Sequence, residues 1–210
     1  MDLSTTLRER RLMAIVRGTH AEAALETIRV LAAEGIGLIE VSLTSEQALD
    51  VIARARDELG PDAALGAGTV VSAQDARRAH AAGAGFVVTP GFGDGVRQAR
   101  DLGLPMIVGA LTPTEVIAAQ SAGADAVKLF PAAAMGGPEY LRALRAPFPD
   151  VPFVPVGGVD ADSGRRYLEY GAPAVGVGSP LIGDAADGGD PGALRARIKA
   201  FLSATAQAPR

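Results

Sequence analysis

The sequence contains no cysteine and no tryptophan, and only two of its 210 residues are histidine. Without cysteine, the chain cannot form a disulfide or a thiolate metal site. His20 and His80 are too few for a histidine-rich site, so we expect no metal. No apolar run approaches the roughly 20 residues that a membrane helix needs. The N-terminal segment MDLSTTLRERR is polar and unlike a signal peptide, so we expect a cytoplasmic protein without a membrane partner.

Lysine is also scarce. Lysine and arginine together number 20, but only Lys128 and Lys199 are lysine. Where arginine supplies the routine surface charge, a remaining lysine is a candidate for a chemical role. Arginine could not take that role, because it can neither form an imine nor lose its proton near neutral pH. Lys199 lies in the amphipathic segment LRARIKAFL, and we assign it no chemistry. The net charge of −4 gives no sign of a nucleic-acid partner.

What the chain does contain is an alternation of apolar runs and amphipathic segments, with 48% hydrophobic and 21% charged residues. The apolar runs predict strands at Leu12–Val16, Leu38–Ser42, Ala63–Ala67, Gly85–Thr89, Pro105–Val108, Ala126–Phe130, Phe153–Val156 and Ala174–Gly178. The amphipathic segments predict helices at His20–Glu34, Glu46–Leu59, Ala73–Ala82, Asp94–Leu102, Pro113–Ala122, Pro138–Leu144, Asp162–Tyr170 and Pro191–Thr205.

Eight such β-α units favour an α/β protein built as one (β/α)8 barrel of the TIM type. Gly83, Gly103 and Gly123 recur at 20-residue intervals, and each suits the end of a helix before a strand. We expect residues 1–210 to form a single domain, with a short N-terminal lead-in and a frayed tail over residues 204–210. The alternative is an open doubly wound sheet.

Polar residues stand at or near the carboxyl ends of four predicted strands, where the chemistry of a parallel barrel collects. They are Arg17, Glu40, Thr69 and Lys128. Lys128 lies inside the otherwise apolar run AVKLFP, which favours a nucleophile, and Glu40 is a candidate general acid/base. Arg17 could hold a carboxylate in two-point contact, and Thr69 could donate a hydrogen bond to it.

Each of these residues also has a structural interpretation. Lys128 and Glu40 could form a buried ion pair, although such pairs often add no net stability. Arg17 could simply pack with its charge turned outward, and Thr69 could satisfy a backbone group.

Glycine clusters end the last two predicted strands, in VPVGGVD and VGVGSPL. The loops after strands seven and eight of many barrels bind phosphate through backbone N–H groups. Gly157, Gly158, Gly178 and Ser179 are therefore candidate phosphate ligands. Two tight turns are the structural alternative.

Taken together, IVRG, GLIEVSLTS, GAGTV, FVVTPG, VKLFPA, PVGGV and VGVGSPL resemble the 2-keto-3-deoxy-6-phosphogluconate (KDPG) and 2-keto-3-deoxy-6-phosphogalactonate (KDPGal) aldolases. The resemblance runs from about Arg11 to Phe201. It implies a class I aldolase that needs no cofactor and assembles as a homotrimer. The implied partners are pyruvate and a phosphorylated keto sugar acid.

Residue roles follow from the same resemblance. Lys128 would form the Schiff base, and Glu40 would be the general acid/base. Arg17 and Thr69 would hold the pyruvate carboxylate. The pocket walls would be Pro90 and Phe130, and the phosphate would bind at Gly157, Gly158, Gly178 and Ser179.

The sequence departs from the phosphogluconate pattern E-V-T-L-R-T at one position. Thr44 stands where that pattern has arginine, as in the galactonate branch, which tends to have a small polar residue there. We therefore expect the galactonate substrate, or its gluconate epimer, with Thr44 contacting it.

Other functions remain open at this point. They are a broader pyruvate aldolase such as a 4-hydroxy-2-oxoglutarate aldolase, another phosphate-binding barrel such as an epimerase or a thiamine-phosphate-synthase-like enzyme, a metal-dependent class II aldolase, and a non-catalytic scaffold. Another phosphate-binding barrel leaves Lys128 unexplained. Two scattered histidines, without paired acidic ligands at strand ends, argue against a class II aldolase. A scaffold would make the set of Arg17, Glu40, Thr69 and Lys128 incidental.

Overall fold

The computed structural model describes residues 1–208, which form eight parallel strands alternating with helices. The strands are β1 Leu12–Val16, β2 Leu38–Ser42, β3 Ala64–Gly68, β4 Val87–Val88, β5 Met106–Ala110, β6 Ala126–Leu129, β7 Phe153–Pro155 and β8 Val175–Val177. The helices are α1 Leu3–Arg10, α2 Ala21–Ala33, α3 Ala48–Leu59, α4 Ala73–Ala81, α5 Asp94–Asp101, α6 Pro113–Ser121, α7 Pro138–Arg145, α8 Ala161–Glu169, α9 Ser179–Ile182 and α10 Pro191–Gln207. Short 3-10 turns lie at Ala133–Met135 and Ala185–Asp187.

The sheet closes into a barrel. Its strands pair in the order β7-β6-β5-β4-β3-β2-β1-β8, so β1 lies between β2 and β8. Val156, one residue beyond β7, bridges to Gly176 of β8 and joins the two ends of the sheet. The single-domain (β/α)8 barrel is thus confirmed, and the open doubly wound sheet is wrong, because that fold would leave both ends of the sheet unpaired.

Side chains on the helices' first turns fix where several helices begin. In α4, α6 and α8, the residue before the helix and the residue three positions later exchange hydrogen bonds between side chain and backbone, which satisfies two otherwise unpaired N–H groups. The pairs are Ser72 with Asp75, Thr112 with Glu115, and Asp160 with Ser163. These caps end the loops that follow β3, β5 and β7 and so set the lengths of the loops at the mouth.

Two layers make up the core. The larger layer packs between the strands and the surrounding helices. The smaller one fills the barrel, with side chains such as Ile15, Leu38 and Phe86 pointing inward from alternate strand positions. Leu3 and Leu7 of α1 belong to this inner layer and close the amino-terminal end of the barrel. The barrel interior is therefore filled from below, and the carboxyl ends of the strands form its open mouth.

Both chain ends differ from expectation. The N-terminal lead-in forms helix α1, because Asp2 caps it and Leu3 and Leu7, four residues apart, bury one side. The frayed tail is wrong over most of its length, since α10 continues to Gln207 with Thr205 and Ala208 buried. Residues 209–210 lie outside the described part. Within residues 1–208, no helix has both the length and the apolar character to cross a membrane.

Candidate active site

Lys128 is buried in β6 and faces the barrel interior. It lies on the same strand face as Ala126, which packs in the inner layer, and only 7% of its surface is exposed. Its Nζ lies 5.3 Å from the centre of the Phe130 ring. Among residues 1–208, no carboxylate forms an ion pair with Lys128. The expected alternative of a direct Lys128–Glu40 ion pair is therefore wrong.

Glu40 is a buried carboxyl group on β2 with an uncommitted oxygen. It is 1% exposed, and its Oε2 has no hydrogen-bond partner in the described part of the chain. Burial raises the pKa of Glu40 above its usual range, although the positive charges of Lys128 and Arg17 oppose that rise. A buried carboxyl group with a raised pKa is a candidate for moving protons as a general acid/base.

Glycine provides the room that these side chains need. Gly68 pairs with Ser42 on the neighbouring strand, and a Cβ there would overlap the Glu40 carboxylate. Gly109 pairs with Lys128, and a Cβ there would overlap the backbone of Pro90. Gly68 thus leaves room for the Glu40 carboxylate, and Gly109, at the level of Lys128, leaves room for Pro90.

Three hydroxyl groups form a chain beside Glu40. The Oγ of Ser42 lies 2.8 Å from Oγ1 of Thr44 and 3.0 Å from Oγ1 of Thr69. Ser42 is fully buried, Thr69 is half-buried, and Thr44 is exposed. The hydroxyl predicted to hold a carboxylate therefore connects to the surface through Ser42.

A cavity of about 500 Å³ lies at the ends of β1, β7 and β8. It brings together six of the residues singled out in the sequence: Arg17, Phe130, Gly157, Gly158, Gly178 and Ser179. The φ angles of Gly157 and Gly158 are +96° and +71°, a region that favours glycine. With no side chains there, the backbone itself forms that part of the cavity wall.

Opposite charges face this cavity. Arg17 is exposed, and its guanidinium has no hydrogen-bond or ion-pair partner within residues 1–208. Asp187 lines the same cavity and accepts hydrogen bonds from the backbone N–H and the hydroxyl of Thr19, at 2.6 and 2.8 Å. Those bonds lower the pKa of Asp187, so the carboxylate is charged at neutral pH.

The predicted residues thus fall into two groups. Lys128, Glu40, Thr69, Thr44 and Pro90 do not line the cavity. Phe130 connects the groups, since its ring lies near Lys128 and also lines the cavity. The charge of Arg17 connects them as well, because it acts on Glu40.

Sequence reasoning assigned no role to Ser42, Gly68 or Asp187. Ser42 carried a signal, because it follows Glu40 by two residues and so lies on the same strand face. Gly68 carried part of one, since GAGTV indicates a close approach of the backbone, but its contact with Glu40 could not be foreseen. Asp187 carried none, because its contact is with Thr19, far away in the sequence. No group of three or more potential metal-binding side chains occurs among residues 1–208.

Comparison with known proteins decides the family. A family model described as KDPG and KHG aldolase matches residues 3–190. The chain belongs to this aldolase family. It is 36% identical over 167 residues to the 2-dehydro-3-deoxy-phosphogluconate aldolase of Pseudomonas aeruginosa, covering 79% of this chain and 76% of that one. It is 34% identical over 172 residues to the 2-dehydro-3-deoxy-6-phosphogalactonate aldolase of Escherichia coli, covering 81% and 83%.

Solved structures of the family share the fold. A native KDPGal structure superposes with a TM-score of 0.86 at 31% identity, covering 93% of this chain and 94% of that one. A 4-hydroxy-2-oxoglutarate/KDPG aldolase from TTHB1 gives 0.83 at 37% identity, covering 98% and 99%. KDPG aldolase from Legionella pneumophila, with pyruvate captured as a covalent carbinolamine, gives 0.83 at 27% identity, covering 98% of each chain. The protein is an enzyme of the aldolase class, a carbon–carbon lyase.

Proposed function

We propose that this aldolase cleaves KDPGal, or its epimer KDPG, to pyruvate and glyceraldehyde 3-phosphate through a Schiff base on Lys128. The observation that supports the proposal most strongly is the pairing of two buried groups. Lys128 is an amine without an ion-pair partner in the described chain, and Glu40 beside it has an uncommitted carboxyl oxygen. Together they supply a nucleophile and a group that can move protons around it.

The first half of the reaction builds the imine. Lys128 Nζ attacks the C2 carbonyl of the substrate and forms a carbinolamine. Glu40 gives a proton to the departing hydroxyl, so that water leaves and a cationic imine remains. The captured carbinolamine of pyruvate in the Legionella pneumophila relative is an intermediate of this type.

The second half breaks the carbon–carbon bond. A base takes the proton of the C4 hydroxyl, the C3–C4 bond electrons flow into the imine, and glyceraldehyde 3-phosphate departs. The resulting enamine is protonated at C3 and then hydrolysed, which releases pyruvate and the Lys128 amine. The lysine supplies the electron sink, so the sequence of steps needs no cofactor.

The placement of the remaining residues supports the binding roles proposed for them. Arg17, an uncommitted cation at the mouth, and Thr69 hold the pyruvate carboxylate. Pro90 and Phe130 wall the pocket around it. The phosphate binds in the cavity formed in part by Gly157, Gly158, Gly178 and Ser179, where backbone and hydroxyl groups can approach its oxygens.

Thr44 supports the galactonate configuration. It replaces the arginine of the phosphogluconate pattern and lies exposed at the mouth, bonded to Ser42. Threonine here offers one hydroxyl to the sugar, whereas arginine would offer several N–H donors and a positive charge.

A second candidate substrate is 4-hydroxy-2-oxoglutarate, which the same steps would split into pyruvate and glyoxylate. Two observations favour including it. The TTHB1 relative carries both activities in its name, and Asp187 places a negative charge on the cavity that would receive the phosphate.

The deciding experiment is reductive trapping. The protein is incubated with pyruvate and borohydride, digested, and analysed by mass spectrometry. We expect a reduced pyruvate adduct on Lys128 and none on the exposed Lys199. An unmodified Lys128, together with activity that a chelator abolishes, would overturn the Schiff-base mechanism. Rates with KDPGal, KDPG and 4-hydroxy-2-oxoglutarate then rank the substrates.

We also propose that the enzyme is a homotrimer, as its family resemblance implies. Val71 and Phe92, on the loops that follow the adjacent strands β3 and β4, expose apolar side chains to solvent and are candidates for the contact. Light scattering should give three times the chain mass of 21.3 kDa. A monomer mass would contradict this assembly.

A further inference from the structure

We infer that Ser42 is a positioning residue, which orients the hydroxyl of Thr69 towards the carboxylate of the bound pyruvate moiety. The inference rests on the proposed function and adds to it a residue that none of the motifs assigned. Ser42 lies two residues after Glu40 on β2, on the strand face that points into the barrel.

Ser42 lies between two threonine hydroxyls. Its side chain is fully buried, and its Oγ is within hydrogen-bond distance of two threonine hydroxyls, 2.8 Å from Thr44 and 3.0 Å from Thr69. One partner would be enough to satisfy a buried hydroxyl. The second bond ties an exposed residue to a residue of the proposed substrate pocket.

Thr69 has a backbone conformation that requires support. Its φ is +60°, a left-handed value that is uncommon for a β-branched residue and costs free energy. Strand alternation would place Thr69 on the opposite face from Gly68, away from the barrel axis. The left-handed turn instead brings its hydroxyl to Ser42, which lies on the inward face of β2.

The donors and acceptors available fix the direction of the hydrogen bonds among Thr44, Ser42 and Thr69. Each hydroxyl has one proton to donate and can accept others. When Thr69 donates its proton to a carboxylate, its oxygen is free to accept the proton of Ser42, and Ser42 in turn accepts the proton of Thr44. Hydrogen bonds in such a chain strengthen one another, so Ser42 makes Thr69 a better donor.

The test measures how pyruvate concentration controls trapping of Lys128 by borohydride. In Ser42→Ala, we expect the pyruvate concentration for half-maximal trapping to rise about three- to tenfold, the effect of losing one neutral hydrogen bond. The trapping rate at saturating pyruvate should change little, because Lys128 and Glu40 remain in place. Ser42→Thr retains the hydroxyl and should restore half-saturation to within about twofold of the original.

A double-mutant comparison shows whether Ser42 acts through Thr69. In a Thr69→Val background, adding Ser42→Ala should cause no further rise, since the hydroxyl that Ser42 orients is already absent. Effects that multiply would overturn the inference, as would an unchanged half-saturation in Ser42→Ala alone. If Ser42→Ala does not fold, Thr44→Val at the exposed end should raise half-saturation about twofold, and no rise would overturn it.

The two proposals fail in distinguishable ways. If the unmodified enzyme shows no adduct at Lys128, the Schiff-base proposal is wrong, and the role of Ser42 is wrong with it. If the adduct forms and the Ser42 variants titrate like the unmodified enzyme, only the role of Ser42 is wrong.

Discussion

The carboxylate of Glu40 occupies the space that a side chain at Gly68 would fill. The two residues lie on neighbouring strands, where Glu40 pairs with Gly66 and Ser42 pairs with Gly68. Because Glu40 leans along the barrel towards the next pair, the glycine leaves room for the carboxylate at a position where the charge of Lys128 acts on it.

Replacing Gly68 with alanine should therefore displace Glu40. Gly68 does not have a positive φ, so alanine is compatible with the backbone and the effect comes from the overlap with the carboxylate. We expect kcat for cleavage to fall at least about tenfold and stability to fall by about 1–3 kcal/mol from overpacking, as measured by steady-state assay and urea unfolding. Gly164→Ala, inside α8 with ordinary contacts only, is the control and should leave kcat unchanged. Full activity in Gly68→Ala would show that the position of Glu40 does not matter.

Lys128→Arg keeps the positive charge but removes the amine. A guanidinium cannot form the imine, so cleavage and pyruvate trapping should both be lost. Lys199→Arg makes the same chemical change at an exposed helix position and should behave like the unmodified enzyme. A Lys128→Arg protein that still cleaves the substrate would exclude a Schiff base at this residue.

The pH dependence of kcat/KM should show the raised pKa of Glu40. As pH falls through that pKa the carboxylate takes up a proton, and steps that need a proton acceptor slow down. The apparent pKa of the acid limb of the profile should therefore be higher than the ordinary glutamate pKa of about 4.3. Glu40→Gln should remove this titration and lower kcat by about 10²- to 10⁴-fold. The exposed Glu46 provides the control, and Glu46→Gln should keep the original profile.

Thr44→Arg should shift substrate preference towards the gluconate epimer. Arginine at this position restores the phosphogluconate pattern and adds a charged donor at the mouth. We expect the ratio of kcat/KM for KDPG to that for KDPGal to rise about tenfold, in line with a charge-assisted hydrogen bond. Thr44→Ala removes the hydroxyl without adding a donor and should not produce this rise. An unchanged ratio in Thr44→Arg would place the choice of epimer at other residues.

The cap of α6 predicts a loss of stability in acid. Backbone N–H groups of Thr112 and Leu111 bond to Glu115 and lower its pKa below the unfolded value. The folded state therefore binds fewer protons, so this stability is present above the unfolded pKa and is lost as pH falls through the folded pKa. Glu115→Gln should cost no more than about 1 kcal/mol at pH 7, because the carboxylate is exposed, and almost nothing well below its pKa.

Urea unfolding at the two pH values measures this difference. Thr112→Ala removes the other half of the cap and should cost about 1 kcal/mol at both. A Glu115→Gln penalty that is equal in acid and at neutral pH would contradict the assignment.

The sequence predicted most of the fold because the barrel repeats a local pattern. The bounds of β1 and β2 match the structure, since most residues of each are apolar and a polar residue marks the end of each run. Lys128 stood out for a similar reason, as the single charged residue of an apolar strand. Helix α1 was missed because only Leu3 and Leu7 mark its buried side in a segment of otherwise polar residues.

The parts that could not be predicted depend on contacts between strands or loops. The overlap of Gly68 with Glu40 follows from the register of β2 against β3, which one sequence does not state. The bonds from Thr19 to Asp187 join the first and last loops of the barrel, 168 residues apart. The turn at Thr69 was also hidden, because threonine is not a residue that signals a left-handed conformation.

Leu3 and Leu7 of α1 block the amino-terminal end of the barrel, so the interior opens only towards the carboxyl ends of the strands. A substrate of the barrel would therefore enter and leave through the mouth formed by the carboxyl ends of the strands. In the proposed mechanism, the three-carbon keto acid bound to Lys128 would lie at the inner end of the mouth, with the aldehyde half of the substrate between it and solvent. That arrangement predicts that the aldehyde departs first and, in the reverse, bond-forming direction, arrives last.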